Sequence, residues 1–137
     1  MNKIFKIGVI GLISLLLSCD KNEGISKSIE DGVYSGTFTV STVSYSSFKQ
    51  SGATTITLKK GKYACAGNSN RVPAGGSGNF SINENKITFT DENFWYADFD
   101  WNLILNGTYD YTFDGKNLKI SASKNEMGYY EYDLKKQ

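Results

Sequence analysis

The sequence predicts an all-β protein: an antiparallel meander of about eight or nine short strands, closed into a small barrel and carried behind an N-terminal signal sequence. Three observations predict it. From Val33 onward the apolar residues recur mostly at a spacing of two, the period of a strand. Turn-forming pairs such as Lys60-Gly61 and Asp114-Gly115 stand between those runs. Aromatic residues make up 14% of the chain, nine of them tyrosine, and no long window after the signal repeats at the helical period of 3.6.

The chain opens MNKIFK, with Lys3 and Lys6 as its only charges before an apolar run from Ile7 to Leu17. Eleven helical residues rise about 16 Å, well short of a hydrocarbon core of roughly 30 Å. A short basic start, a short apolar centre and a small residue at the boundary read as a secretory signal over residues 1–18. The boundary, Leu16-Leu17-Ser18-Cys19, resembles the lipobox of bacterial lipoproteins. That resemblance implies diacylglycerol on the Cys19 sulfur, cleavage after Ser18, acylation of the new amino terminus, and so a membrane anchor. Each buried methylene of such chains contributes about 0.8 kcal/mol, so several chains make release slow. The polar stretch that follows, Asp20–Gly32, reads as a flexible tether, leaving residues 33–137 as the β-barrel domain.

Asp20 and Glu23 resemble the acidic surface-export signal of Bacteroidota lipoproteins, although Lys21 stands between them. In enterobacteria an Asp after the cysteine implies retention at the inner membrane instead. The resemblance therefore implies export and anchoring in the cell envelope, at the outer membrane, with the periplasmic and surface leaflets both open. The whole chain resembles small lipoproteins of Bacteroidota, a likeness that brings no activity with it.

Composition narrows the function classes. Removing residues 1–18 leaves 119 of the 137 residues, enough for one domain. They keep 13 basic and all 14 acidic residues, a side-chain sum of −1 that gives no footprint for nucleic acid. There is no histidine and one arginine, Arg71, so neither a His-based triad nor a His/Cys zinc site is available, and no cofactor is implied. With Cys19 committed to lipid, Cys65 is alone in the domain.

The strands follow in order. Tyr34, Phe38 and Val40 alternate, then Ile56 and Leu58, Tyr63 and Cys65, Phe80 and Ile82, Ile87 and Phe89. Next come Phe99, Trp101, Leu103 and Leu105, read as a strand, then Tyr109, Tyr111 and Phe113, Leu118 and Ile120, and finally Tyr130, Tyr132 and Leu134. A two-residue loop at Lys60-Gly61 sets Leu58 opposite Tyr63 and Ile56 opposite Cys65. One at Glu84-Asn85 sets Ile82 opposite Ile87 and Phe80 opposite Phe89. One at Asp114-Gly115 sets Tyr111 opposite Leu118 and Tyr109 opposite Ile120. All three keep the apolar sets on one face, and that agreement between turn chemistry and pattern favours the meander. Between Leu105 and Tyr109 the faces match only with a bulge at Gly107 or a longer loop. The opening Gly32-Val33-Tyr34-Ser35-Gly36 resembles the glycine-x-aromatic start of lipocalin-like barrels, with Tyr34 where that family has tryptophan. A lipocalin-like barrel is the fold that this resemblance implies.

In this meander the loops at 44–52, 67–78 and 91–97 fall at one end, and the tight turns at Lys60-Gly61, Glu84-Asn85 and Asn106 fall at the other, where the tether also enters. The long-loop end is therefore the candidate binding face. It carries Tyr45 and Phe48, then Arg71, then Phe94, Trp95 and Tyr96. Exposed rings stack on sugars or apolar ligands, and an arginine forks onto carboxylate or phosphate. The same aromatics also suit the plain task of capping the barrel mouth. Trp101, Tyr111 and Phe113 join the candidates if the interior is hollow. Asp91, Glu92, Asp98 and Asp100 match no calcium-loop spacing and read as solvated carboxylates, the last two on the outer face of the strand through Phe99 and Trp101. Cys65 faces inward and reads as a small buried hydrophobe. Tyr63-Ala64-Cys65 resembles the tyrosine-x-cysteine motif of anchored lysozyme inhibitors, here mid-chain and without a second cysteine.

The expectation is a non-enzymatic, lipid-anchored binding module whose long-loop end meets a small apolar or amphiphilic molecule or a sugar. The alternative is a protein-interaction or envelope-structural lipoprotein, inhibitor-type included, with a solid core. Nothing in the sequence pairs a nucleophile with a base.

Overall fold

The computed structural model describes residues 26–42, 48–125 and 128–137. Eight strands run antiparallel in chain order: β1 (Gly32–Thr42), β2 (Lys49–Lys59), β3 (Lys62–Cys65), β4 (Gly76–Asn83), β5 (Lys86–Asp91), β6 (Gly107–Phe113), β7 (Asn117–Lys124) and β8 (Gly128–Lys136). β8 pairs back onto β1, from Tyr34↔Lys136 to Thr42↔Gly128, and closes the barrel. Closure gives every strand two partners, which protects the sheet edges.

Alternation puts one side chain in two inside. Tyr109, Tyr111 and Phe113 of β6 are buried, as are Tyr130, Tyr132 and Leu134 of β8. The hairpins at Lys60-Gly61 and Glu84-Asn85 have the expected registers, Leu58↔Tyr63, Ile56↔Cys65, Ile82↔Ile87 and Phe80↔Phe89. Inside, rings from five strands touch in sequence: Phe38 to Tyr132 at 4.6 Å, Tyr132 to Tyr109 at 6.3 Å, Tyr109 to Phe89 at 5.9 Å and Phe89 to Tyr63 at 4.8 Å between centroids. The Tyr63 hydroxyl ends the run by donating to Leu105 O at 2.6 Å. Tyr34 meets Phe113 edge-on at 5.9 Å nearer the opposite end. Eight strands enclose just enough room for such side chains, and here rings fill it.

Two glycines permit close backbone approach. A Cβ on Gly36 would overlap Asp133 O of β8 and lie 2.9 Å from Leu134 Cα. A Cβ on Gly52 would strike Val72 O and the Asn68 side chain, where the 66–75 connection folds over β2.

Five expectations are corrected. First, residues 99–105 form no strand. Asp100 caps a short 3-10 turn, Trp101–Leu103, accepting from Asn102 N at 2.9 Å, and Ile104 N closes it onto Trp101 O at 3.1 Å. Ile104 then bridges Gly75 in parallel, and both Ile104 and Leu105 are buried, which breaks the period of two. Second, Asp114-Gly115 sits in a four-residue loop, so the register is Phe113↔Leu118 and Tyr111↔Ile120. The Asp114 carboxylate causes this by accepting from Lys116 N at 2.9 Å, Asn117 N at 2.7 Å and Asn117 Nδ2 at 2.8 Å. A shift of two residues keeps the inward face, so the core pattern survives.

Third, with one strand fewer, the chain direction reverses from β6 onward. Asn106 lies at the long-connection end and Asp114 at the closed end, with Lys60-Gly61 and Glu84-Asn85. The expected tight hairpin at Asn106-Gly107 gives way to the end of a long connection, and Gly107 opens β6 opposite Phe89. Fourth, all three expected long loops are partly strand, since Lys49–Gly52 belong to β2, Gly76–Gly78 to β4 and Asp91 to β5. Fifth, the described part of the expected tether, Ser26–Asp31, is held against the closed end. Lys27 N donates to Phe113 O at 2.8 Å, Phe113 N to Ser26 Oγ at 3.1 Å and Lys60 N to Asp31 Oδ2 at 2.9 Å, while Glu30 pairs with Lys136.

Candidate functional site: an aromatic rim at the open end

Among the described residues, the open end is built mainly by connections 66–75 and 92–106. Asp91, the last residue of β5, organises the longer one. Its Oδ1 accepts from Ser77 N at 2.8 Å and Asn93 Nδ2 at 2.7 Å, and its Oδ2 accepts from Trp95 Nε1 at 2.5 Å. The Asp91 amide donates to Asn106 Oδ1 at 3.0 Å, tying the two feet of the loop together. Farther along, Trp101 Nε1 donates to Tyr96 O at 3.2 Å.

Lys124, at the end of β7, holds this connection from beneath. Its Nζ donates to Asn102 O at 3.2 Å, Ile104 O at 3.4 Å and Asn106 O at 3.2 Å. The same ammonium lies 4.9 Å from the Tyr109 ring centre and 5.3 Å from that of Tyr130. Burial draws its pKa down to about 8, with Asp100 pulling the other way. Sequence reasoning missed Lys124. The signal was present, because it continues the inward register of Leu118, Ile120 and Ala122 by one more step of two.

In the shorter connection, Asn68 Oδ1 accepts from Asn70 N and Val72 N at 3.1 Å each. This fork holds Arg71 at the loop tip with a left-handed backbone, φ 56°. Its guanidinium lies 4.8 Å from the Phe99 ring centre and donates to Asp98 Oδ1 at 2.9 Å. That bond is the main reason the Asp98 carboxyl is held below its ordinary range.

The predicted site residues separate into groups. Cys19 and Tyr45 lie outside the described residues. Arg71, Phe94, Trp95 and Tyr96 come together around a groove of about 230 Å³. Trp101 joins them through a second groove of about 300 Å³ that shares Phe94 and Trp95, so Phe94 stands between the two. Phe94 is 87% exposed, Tyr96 77% and Trp101 54%, whereas Trp95 is half-buried. Phe48 is 52% exposed and lines a separate groove with Lys124 and Tyr130. Tyr111 and Phe113 do not belong to this end. Both are buried core residues, and Tyr111 donates to Glu84 O at 3.1 Å beside the closed-end turn. Trp101 lies on the rim, outside the barrel.

The acidic residues of this end are occupied in holding the loop, and Asp98 and Asp100 belong to the connection, not to an outer strand face. Glu92 accepts from Asn79 Nδ2, Asp98 holds Arg71, Asp100 caps the 3-10 turn and Asp91 takes three donors. Cys65 is a free, buried thiol whose pKa burial pushes up to about 11, so at neutral pH it is protonated and packs as an apolar group. Comparison with protein-family models, curated proteins and solved structures gives no match to this chain.

Proposed function

We propose that this protein is a lipid-anchored module of the bacterial cell envelope that performs no chemistry of its own and binds its ligand on the aromatic rim. One observation carries the reading. Phe94, Tyr96 and Trp101 stand exposed on a connection that is otherwise fixed by part-buried, charge-assisted hydrogen bonds from Trp95 to Asp91 and from Lys124 to the backbone. Large rings held out in water by a rigid support are characteristic of contact surfaces, because scattered core-forming aromatics would turn inward. The filled interior supports a rim site over an interior one.

The anchor follows from Lys3–Cys19, and the path of Ser26–Asp31 along the closed end suits it. A chain that leaves from that end turns the rim away from the membrane. Mass spectrometry of the full chain from membranes, beside Cys19→Ala, tests the anchor, with acyl mass on an N-terminal Cys19 expected. Replacement of Phe94 by the photo-crosslinking residue p-benzoylphenylalanine tests the rim, with Ile82 on the closed-end half of β4 as the control position. Adducts in intact envelopes from position 94 and none from 82 are expected. No adduct at 94, or equal adducts at both, overturns the rim site.

A further inference from the structure

The grooves on either side of Phe94 differ from an anion or cation site in one respect: the charges near them are already matched. Asp91 is bound by Ser77, Asn93 and Trp95, Glu92 by Asn79, and Asp98 by Arg71. Asp100 is committed to its cap and Lys124 to three carbonyls. A phosphate or carboxylate at Arg71 would compete with Asp98 for the guanidinium and would meet the surrounding carboxylates. A cationic peptide would compete with the donors that already hold those carboxylates in the loop. Either ligand would weaken charge-assisted hydrogen bonds that the fold uses.

The rim also leaves uncharged groups available. Phe94, Tyr96 and Trp101 are exposed, with Phe94 and Tyr96 edge-to-face at 5.7 Å between centroids, and neither the Tyr96 hydroxyl nor the Asn106 side-chain NH₂ has a partner among the described residues. Asn93, Asp98 and Asn102 lie among the rings, so the exposed apolar surface is divided into single ring faces rather than one broad patch. A sugar ring suits these elements. Its C–H face is apolar and slightly positive and lies on the negative face of an aromatic ring, while its hydroxyls reach amide and hydroxyl groups at the edge.

Resting on the rim reading above, we propose that the two grooves bind adjacent units of a neutral glycan, stacked on Phe94, Tyr96 and Trp101. The test is co-sedimentation of the full chain in detergent with insoluble cellulose, chitin, mannan and xylan. At least one should retain the wild type, and the Phe94→Ala/Tyr96→Ala double variant should lose roughly tenfold or more in affinity for it. Trp101→Ala should weaken binding as well. Because Phe94 and Tyr96 are exposed, thermal unfolding of the double variant should match the wild type. Soluble polygalacturonate, an anionic glycan, should not compete. Failure of all four polysaccharides to retain the chain overturns the proposal, as does undiminished binding by the double variant or displacement by polygalacturonate. Protein adducts from position 94 with no polysaccharide retained would reject the glycan and keep the rim. Silence in both assays would reject both.

Discussion

The ammonium of Lys124 lies 4.9 Å from the centre of the Tyr109 ring while donating to three backbone carbonyls of the 92–106 connection. One side chain thereby joins the core to the rim. Its inward position would be a liability for a charge with no partners, and the carbonyls and rings supply them.

Lys124→Met keeps an unbranched side chain one atom shorter and removes its donors. We expect a loss of about 1–3 kcal/mol by chemical denaturation, together with faster amide exchange over 101–106. Unchanged stability and exchange would show that the connection is held without the clamp.

The same residue shapes the alkaline limb. Its pKa is about 8 when folded and ordinarily 10.5, so between those values the unfolded chain holds a proton that the native chain has released. Stability from this group therefore rises with pH across that window. Tyr63, Tyr109 and Tyr132 act oppositely, since burial raises all three above the ordinary 10.0 and keeps them neutral in the fold. Their contribution is lost as pH climbs past 10. The stability profile should rise above pH 8 and then fall steeply, and Lys124→Met should lack the rise.

Asp114 sets the acid side. Three hydrogen bonds from Lys116 and Asn117 hold its pKa down to about 2, against an ordinary 3.8. Its contribution is complete above 3.8 and disappears as pH falls through 2. Asp114→Ala should lower the melting temperature at neutral pH and narrow its difference from wild type near pH 2. A constant difference would mean that the loop does not depend on the carboxylate.

Much of the fold was legible in particular residues. The alternation of Tyr109, Tyr111 and Phe113 and the pairs at Lys60-Gly61 and Glu84-Asn85 have local causes, and they read correctly. Phe99, Trp101, Leu103 and Leu105 alternate as a strand would, yet their conformation is decided by the Asp100 cap and by Gly75 on another connection. A nonlocal partner leaves no mark in local spacing. That one element put Asn106 at the wrong end of the barrel. At the rim, Arg71 and the run Phe94–Tyr96 were found because their chemistry is unusual in loops, and Lys124 was missed because a lysine at a strand end is ordinary.

Gly36 offers a sharper test of closure. Ala at this position drives its Cβ into the β8 backbone, and we expect a loss of roughly 3 kcal/mol or more, or failure to fold. Gly107→Ala is the comparison, because a Cβ there meets nothing within 4 Å and the cost comes from its φ of 97° alone. About 1–2 kcal/mol is expected for it. Equal costs at the two positions would contradict the β1–β8 seam.

The most direct measurement compares unfolding free energies of Phe94→Ala/Tyr96→Ala and Phe89→Ala. Phe89 stands in the ring run that fills the barrel, whereas Phe94 and Tyr96 stand in water. Phe89→Ala should lose about 3–5 kcal/mol, and the rim pair should change by no more than about 0.5 kcal/mol. A rim pair as costly as Phe89 would make those rings part of the folded core and leave no surface for a ligand.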